Sequence, residues 1–539
     1  MEEKEYLIRS KAVFRGTGHR PEPCTIHVQG TKIREILPWE YGDKDPKLKL
    51  YDYGEQMIMP SFIDGHTHIF SGAVNFSEYV CDDLGKETSE QACARRIGQF
   101  AREHPEYQRI RGAGWFIGNW DRTVLPTKES LDAVVPDRPV YLYCSDCHSM
   151  WMNSKALEEA GIDPLVQPEG GQIVQMPDGT ASGLLLEPAA MKPAVDQYMD
   201  FTEDELFHIY RQFQQYLAEN GIAAVSEMFA DDYTEETYKK YELIRKMDQR
   251  GELCSNIYVY TKLFGYTSFE KFFVMREHFD TGHFRIMGLK GFIDGVTETH
   301  TGMLLEPYED MPDSCGQGVP LWPKEKMEKE IIAANGKGIQ VRLHAIGDGA
   351  VRLALDLYEK SEQVNGKKEF CNTIEHIENI AESDIDRFRG HNIIASMQPY
   401  HLTLTNNKKI NQIGAKRCEL EWPVGTLLKH GAKLALSTDY PVVDLNPFVT
   451  LYAAVTRRDD AGRPTGHNPW EKISMEDALK AYTAGSAKVY QMEKQMGTIE
   501  EGKFANIIVL SHNLFAIDPE EIRDTRVIAN FFEGKKIIG

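Results

Sequence analysis

The 539-residue sequence has no uninterrupted apolar stretch of about 18 residues, the length a membrane helix needs, so no helical span is expected. Cysteine is scarce: nine are spread over the chain without the dense spacing of a disulfide framework, which fits free thiols in a reducing compartment. Basic residues are outnumbered, 61 against 82 acidic ones, for a net charge of −21. That balance argues against nucleic acid or an anionic membrane as the main partner. Low-complexity tracts are missing. The opening Met1-Glu-Glu-Lys-Glu-Tyr-Leu-Ile-Arg has no basic segment leading into an apolar one, which reads as no secretory signal and sets a cytoplasmic location as the expectation.

What is present is an ordinary globular composition, 42% hydrophobic and 27% charged, in a chain long enough for more than one domain. Short strand-like runs at 5–17 and 24–38, and again at 497–510, 527–532 and 535–538, place β structure at both ends. These ends, 1–56 and 491–539, are expected to pair into one small β-sandwich domain. From about 202 onward, strand-like runs at 223–228, 255–263, 284–293, 339–344, 371–376, 392–398 and 433–438 alternate with helical patterns. With the run at 57–64 they make eight βα units, which predicts an α/β fold of the (β/α)8 TIM-barrel type over 57–490. An irregular segment at about 72–200 breaks that rhythm and reads as a lid-like insertion after the first barrel strand.

The pivotal stretch is Met57-Ile-Met-Pro-Ser-Phe-Ile-Asp-Gly-His-Thr-His68. Side chains two apart on a strand share a face, so His66 and His68 are expected to project together from the strand's C-terminal end, where imidazoles can share a metal. In a barrel the active site lies at those ends. Reading along them adds Lys290 on the fourth strand, His344 on the fifth, His376 on the sixth and Asp439 on the eighth. Any one of these has a structural explanation, such as a helix cap for Asp439 or a solvated lysine for Lys290. Four imidazoles, a carboxylate and an amine at one mouth read together as a metal site. Glu227, ending the second strand, is an alternative bridging ligand. Asp294, Gln398 and His401 are further candidates at the mouth, and Trp115, Trp120 and His148 in the insertion are candidates to line a substrate pocket.

The stretches Pro60–His68, Leu289-Lys-Gly-Phe-Ile-Asp-Gly295, Leu343-His-Ala-Ile-Gly-Asp348, Ile374-Glu-His376, Ser396-Met-Gln-Pro399 and Ser437-Thr-Asp-Tyr-Pro441 resemble the amidohydrolase superfamily of metal-dependent hydrolases. Within it they are most similar to the YtcJ-like branch, which includes N-substituted formamide deformylases and proteins named as exoenzyme regulators. Cys147-His-Ser-Met-Trp-Met-Asn-Ser154 and Gly170-Gly171 also look like that branch. Cys147 stands where Gly is common, Thr438 where Ser is usual, and Asn506 where Asp is common.

The resemblance implies two divalent metals, zinc with manganese, iron or nickel as alternatives. His66 and His68 would hold the more buried one and His344 and His376 the second. Lys290, N6-carboxylated, would bridge them, and Asp439 would contact a metal and take the proton of the attacking water. It further implies a small-molecule, amide-like substrate, hydrolysis of a non-peptide carbon–nitrogen bond, and a homodimer. A deaminase or esterase on the same scaffold, or a non-catalytic regulatory or sensor protein, are the competing readings. Cys144-Ser-Asp-Cys-His148 matches a haem-attachment pattern, but without an export signal, and at the place of the family's lid loop, that reading is set aside.

Overall fold

The computed structural model describes residues 5–18, 20–43, 47–121, 124–145, 147–168, 171–228, 234–265, 269–313, 316–404, 409–459, 461–464 and 468–539. Asp146 of the Cys-x-x-Cys-His stretch, Gly170 of the paired glycines, and the expected helix start at 267–268 lie outside them. The chain divides into two compact units: Met1–His68 with Gln214–Asp439 and Asp444–Gly539, and Ile69–Phe213 with Tyr440–Val443.

The first unit holds two sheets. One is all parallel and has eight strands in chain order: Phe62–Ile63, Ile222–Glu227, Asn256–Lys262, Phe284–Phe292, Gln340–Ala345, Asn372–His376, Ile393–Met397 and Lys433–Leu436. These strands are buried almost throughout, as expected where helices cover a parallel sheet. The sheet curls so that its first and last strands meet beyond their C-terminal ends, where the Asp439 amide donates to the His66 carbonyl (2.8 Å). That curl is the TIM-like arrangement of eight βα units. Gly221 delivers the chain into the second strand in a left-handed conformation (φ +69°), and a Cβ there would sit 2.9 Å from Ile508.

The other sheet gathers both chain ends. Its order is Lys535–Ile538, Val527–Phe532, Ile507–Leu510, Met57–Pro60, Glu5–Val13, Glu22–Gln29, Lys32–Leu37, with Lys49–Asp52 also paired to Glu5–Val13. Alternate residues of these strands, such as Tyr6 and Ile8, Ile26 and Val28, Ile507 and Val509, form one apolar cluster. Both ends therefore enter one hydrogen-bonded sheet.

The run expected as one strand at 57–64 is divided between the two sheets. Met57–Pro60 pairs with Ile507–Leu510, and Phe62–Ile63 pairs with Ile222–Glu227. The division falls at Pro60-Ser61, where proline has no amide to donate. Ser61 still bonds the end sheet through the Asn506 carbonyl (3.0 Å), and Phe62 already bonds the barrel through the Gly221 carbonyl (2.9 Å).

The second unit, the insertion, is built on a six-stranded mixed sheet ordered Gln172–Gln175, Ala181–Leu186, Ser149–Met152, Val140–Cys144, Ile110–Trp115, Val80–Cys81. It has a core of its own around Leu84, Ile97, Leu131, Leu142 and three tryptophans. No helix among the described residues is long and apolar enough to cross a membrane. The eight cysteines among them are free thiols.

Candidate metal centre

The barrel mouth is shaped first by Asp64, just past the first strand. Its buried carboxylate accepts from the Thr438 amide (3.1 Å) and hydroxyl (2.7 Å), the His66 amide (3.2 Å) and the Tyr482 hydroxyl (3.1 Å). Burial pushes the Asp64 carboxyl up to about 7 despite these donors. Residues 64–68 are thus a bend pinned to the eighth strand. His66 and His68 converge because of this bend, whereas strand alternation was the expected cause.

Their Nε2 atoms lie 3.3 Å and 2.9 Å from Oδ1 of Asp439. Asp439 is itself in a left-handed conformation (φ +62°), held by its amide bond to His66. Burial disfavours the Asp439 anion, yet His66 and His68 outweigh it and keep the carboxyl well below its usual range. Burial, with the Lys290 charge, lowers His66 to about 4, so its imidazole is neutral and able to ligate.

On the facing side, His376 takes φ +74° and Ile377 φ +53°. Regular alternation would put Glu375 and His376 on opposite faces; the left-handed turn re-aims the histidine toward the mouth. His376 is buried and held well below its usual value, first by desolvation and then by neighbouring imidazoles. Its Nδ1 meets the Gln398 Oε1 at 2.9 Å, and Gln398 in turn donates to Ser437 (2.8 Å). Gln398, expected as a substrate contact, is buried and engaged as the partner of a candidate ligand.

His401, also expected to contact substrate, comes instead to ligand range: His376, His401 and Asp439 form one cluster, and His66, His68 and Asp439 another, each with ligand atoms within 4.8 Å of one another. The His344 ring packs 4.5 Å from His376, while its Nε2 lies 3.1 Å from the Gly295 carbonyl. Asp294 accepts from the amides of Met303 (2.8 Å), Ile346 (3.0 Å) and Gly347 (3.0 Å). It ties together the loops after the fourth and fifth strands, a positioning role where a substrate contact was expected. Burial pushes its carboxyl up to about 7.

Lys290 is buried, and its Nζ has no hydrogen-bond partner among the described residues. Burial lowers it to about 8. A lone amine in the interior is costly unless something else occupies its surroundings. Together with two nitrogen–oxygen clusters that share one ionised carboxylate, it fits a divalent metal centre. Glu227 is buried at the end of the second strand, bridged through the backbone to His68.

Two buried charges went unnoticed in the sequence. Glu375 and Arg342 are fully buried and paired (2.8 Å), and Glu375 also meets His66 Nδ1 at 2.7 Å. Their signal is a charge inside an apolar strand, one residue before His376 and two before His344.

In the second unit, Trp115 departs from its expected place. It packs between Trp120 (5.7 Å) and Trp151 (5.9 Å) and donates its Nε1–H to the Leu142 carbonyl (2.9 Å), so both it and Trp120 are core residues of that unit. His148 is partly exposed, with Nδ1 2.7 Å from the Glu187 carboxylate.

Comparison with known proteins agrees with this geometry. The amidohydrolase family model matches residues 49–538. The chain is 29% identical to Protein LONG AFTER FAR-RED 3 of Arabidopsis thaliana, over 99% of this chain and 91% of that protein. It is 27% identical to the putative amidohydrolase YtcJ of Bacillus subtilis, over 94% and 93%. It is 25% identical to the N-substituted formamide deformylase of Arthrobacter pascens, over 92% and 90%. In fold it is similar to an uncharacterized metal-dependent hydrolase from Pyrococcus furiosus, with a TM-score of 0.72 and 24% identity over 96% of this chain and 100% of that one. With the family matched over most of its length and the mouth built from histidines around one aspartate, the chain belongs to the amidohydrolase family of metal-dependent hydrolases.

Proposed function

We propose that the chain hydrolyses an amide-type, non-peptide carbon–nitrogen bond of a small molecule at this mouth. The observation that carries the reading is the pair of ligand clusters sharing Asp439, together with a buried lysine that has no hydrogen-bond partner among the described residues. His66 and His68 are assigned to one divalent ion, and His376 with His344 to a second, with His401 within reach of that side. A divalent ion bound here would lower the pKa of a bound water to about 7 and would polarise a carbonyl oxygen. Lys290 is assigned as an N6-carboxylated bridge; its lowered pKa favours the neutral amine that carboxylation by CO₂ requires.

Asp439 is ionised at neutral pH, its carboxyl lying well below the usual range, so it starts as a proton acceptor. It takes a proton from the attacking water and delivers it to the departing nitrogen as the carbon–nitrogen bond breaks, leaving acid and amine. The amide class is supported by the likeness to a formamide deformylase.

The test is metal content by elemental analysis of native protein and of Lys290→Ala, followed by a panel of N-formyl and N-acyl amines. About two ions per native chain, lost in the variant, with turnover on the panel, supports the proposal. About one ion, unchanged by the variant, favours the deaminase reading on the same scaffold. No bound metal after metal-supplemented expression overturns it.

A further inference from the structure

Arg342, on the fifth barrel strand, is fully buried. Its guanidinium donates through one arm to Glu375 (2.8 Å) and through another to the Gly65 carbonyl (2.6 Å), and it also bonds Thr373. Tyr260 covers its face at 4.6 Å. Glu375 places its other oxygen, Oε2, 2.7 Å from His66 Nδ1, while the Thr373 hydroxyl donates to Oε1, the oxygen held by Arg342. A charged pair with no exposure is expensive to bury, and an apolar pair of similar volume would serve packing as well or better. That cost calls for a role beyond packing.

The geometry points to one: Arg342 and Glu375 are positioning residues that set His66 for metal binding. This rests on the metal-site reading above. An ionised carboxylate only accepts, so the His66 proton is confined to Nδ1 and the Nε2 lone pair is left facing Asp439. The same carboxylate makes the imidazole a better donor to a cation. Arg342 grips the histidine at two points, the ring through Glu375 and the backbone through Gly65, so neither can turn without breaking a charge-assisted bond. His376 has the neutral counterpart: its Nδ1 faces the amide oxygen of Gln398. Of these two imidazoles, His66 is the one backed by a full charge.

The experiment titrates Co(II) into metal-free native protein, Glu375→Gln and Arg342→Lys, reading affinity and the visible ligand-field spectrum, with thermal unfolding of each metal-free protein alongside. Glu375→Gln keeps the shape of the side chain but removes its charge. It should bind Co(II) 10–100-fold more weakly, with an altered spectrum. Arg342→Lys cannot reach both acceptors and should lie between. A purely structural pair would lower the unfolding temperature of the metal-free variants while leaving Co(II) affinity and spectrum at native values; that result overturns the inference and spares the metal site. If native protein takes up no Co(II), the metal-site reading falls first and this inference with it.

Discussion

Asp64 and Thr438 join the first barrel strand to the eighth: one carboxylate accepts both the amide and the hydroxyl of a single threonine. His66, two residues past Asp64, and Asp439, next after Thr438, are bonded to each other through the backbone. The place where the barrel meets itself is therefore also where its first ligands are set.

Asp64→Asn should destabilise the protein by about 1–3 kcal/mol, because an amide nitrogen replaces one acceptor among four donors. Bound metal should fall in the same variant, since His66 and Asp439 lose their common anchor. Unfolding midpoints and elemental analysis check this; a native metal content would separate Asp64 from the site.

Asp439→Asn should reduce turnover by at least 10²–10⁴-fold, the contribution usual for general acid–base catalysis. The fold should persist in circular dichroism. Steady-state kinetics on whichever amide of the panel is cleaved provides the measurement, and a loss below tenfold would remove Asp439 from the proton path.

Away from the mouth, His283 bonds Asp248 (2.7 Å) and faces Glu533 (3.3 Å), and these partners raise it from 6.5 to about 10. The folded state thus binds the proton more tightly than the unfolded chain does. The stabilisation is complete below pH 6.5 and lost as pH rises through about 10. Because His283 is about a third exposed, on the order of 1–2 kcal/mol is expected after solvent screening. The stability difference between native protein and His283→Gln should therefore shrink between pH 6.5 and 10; a flat difference across that range contradicts the assignment.

Trp115→Leu should lower the stability of the second unit by about 2–4 kcal/mol, from lost ring contacts and the lost Nε1–H bond to the Leu142 carbonyl. KM should not move, because the indole is packed inside that unit. A selective rise in KM at unchanged stability would return Trp115 to the substrate pocket.

The sequence determined the alternation of eight strands and helices, because buried parallel strands must be apolar and their spacing survives in the text of the chain. It also marked His66, His68, Lys290, His344, His376 and Asp439, since polar groups ending apolar strands stand out. It could not divide 57–64 between two sheets, because both halves are equally apolar and only the partners at Gly221 and Asn506 separate them. Nor could it move His401 to ligand range, assign Gln398 and Asp294 to holding other residues, or bury Trp115 in its own core. Those depend on left-handed turns at His376 and Asp439 and on bonds spanning many residues, which leave no local periodicity. The link from Arg342 through Glu375 to His66 belongs to the same class: the fifth and sixth strands meet the bend after the first, far off in sequence, and only there does a buried carboxylate have a histidine to orient.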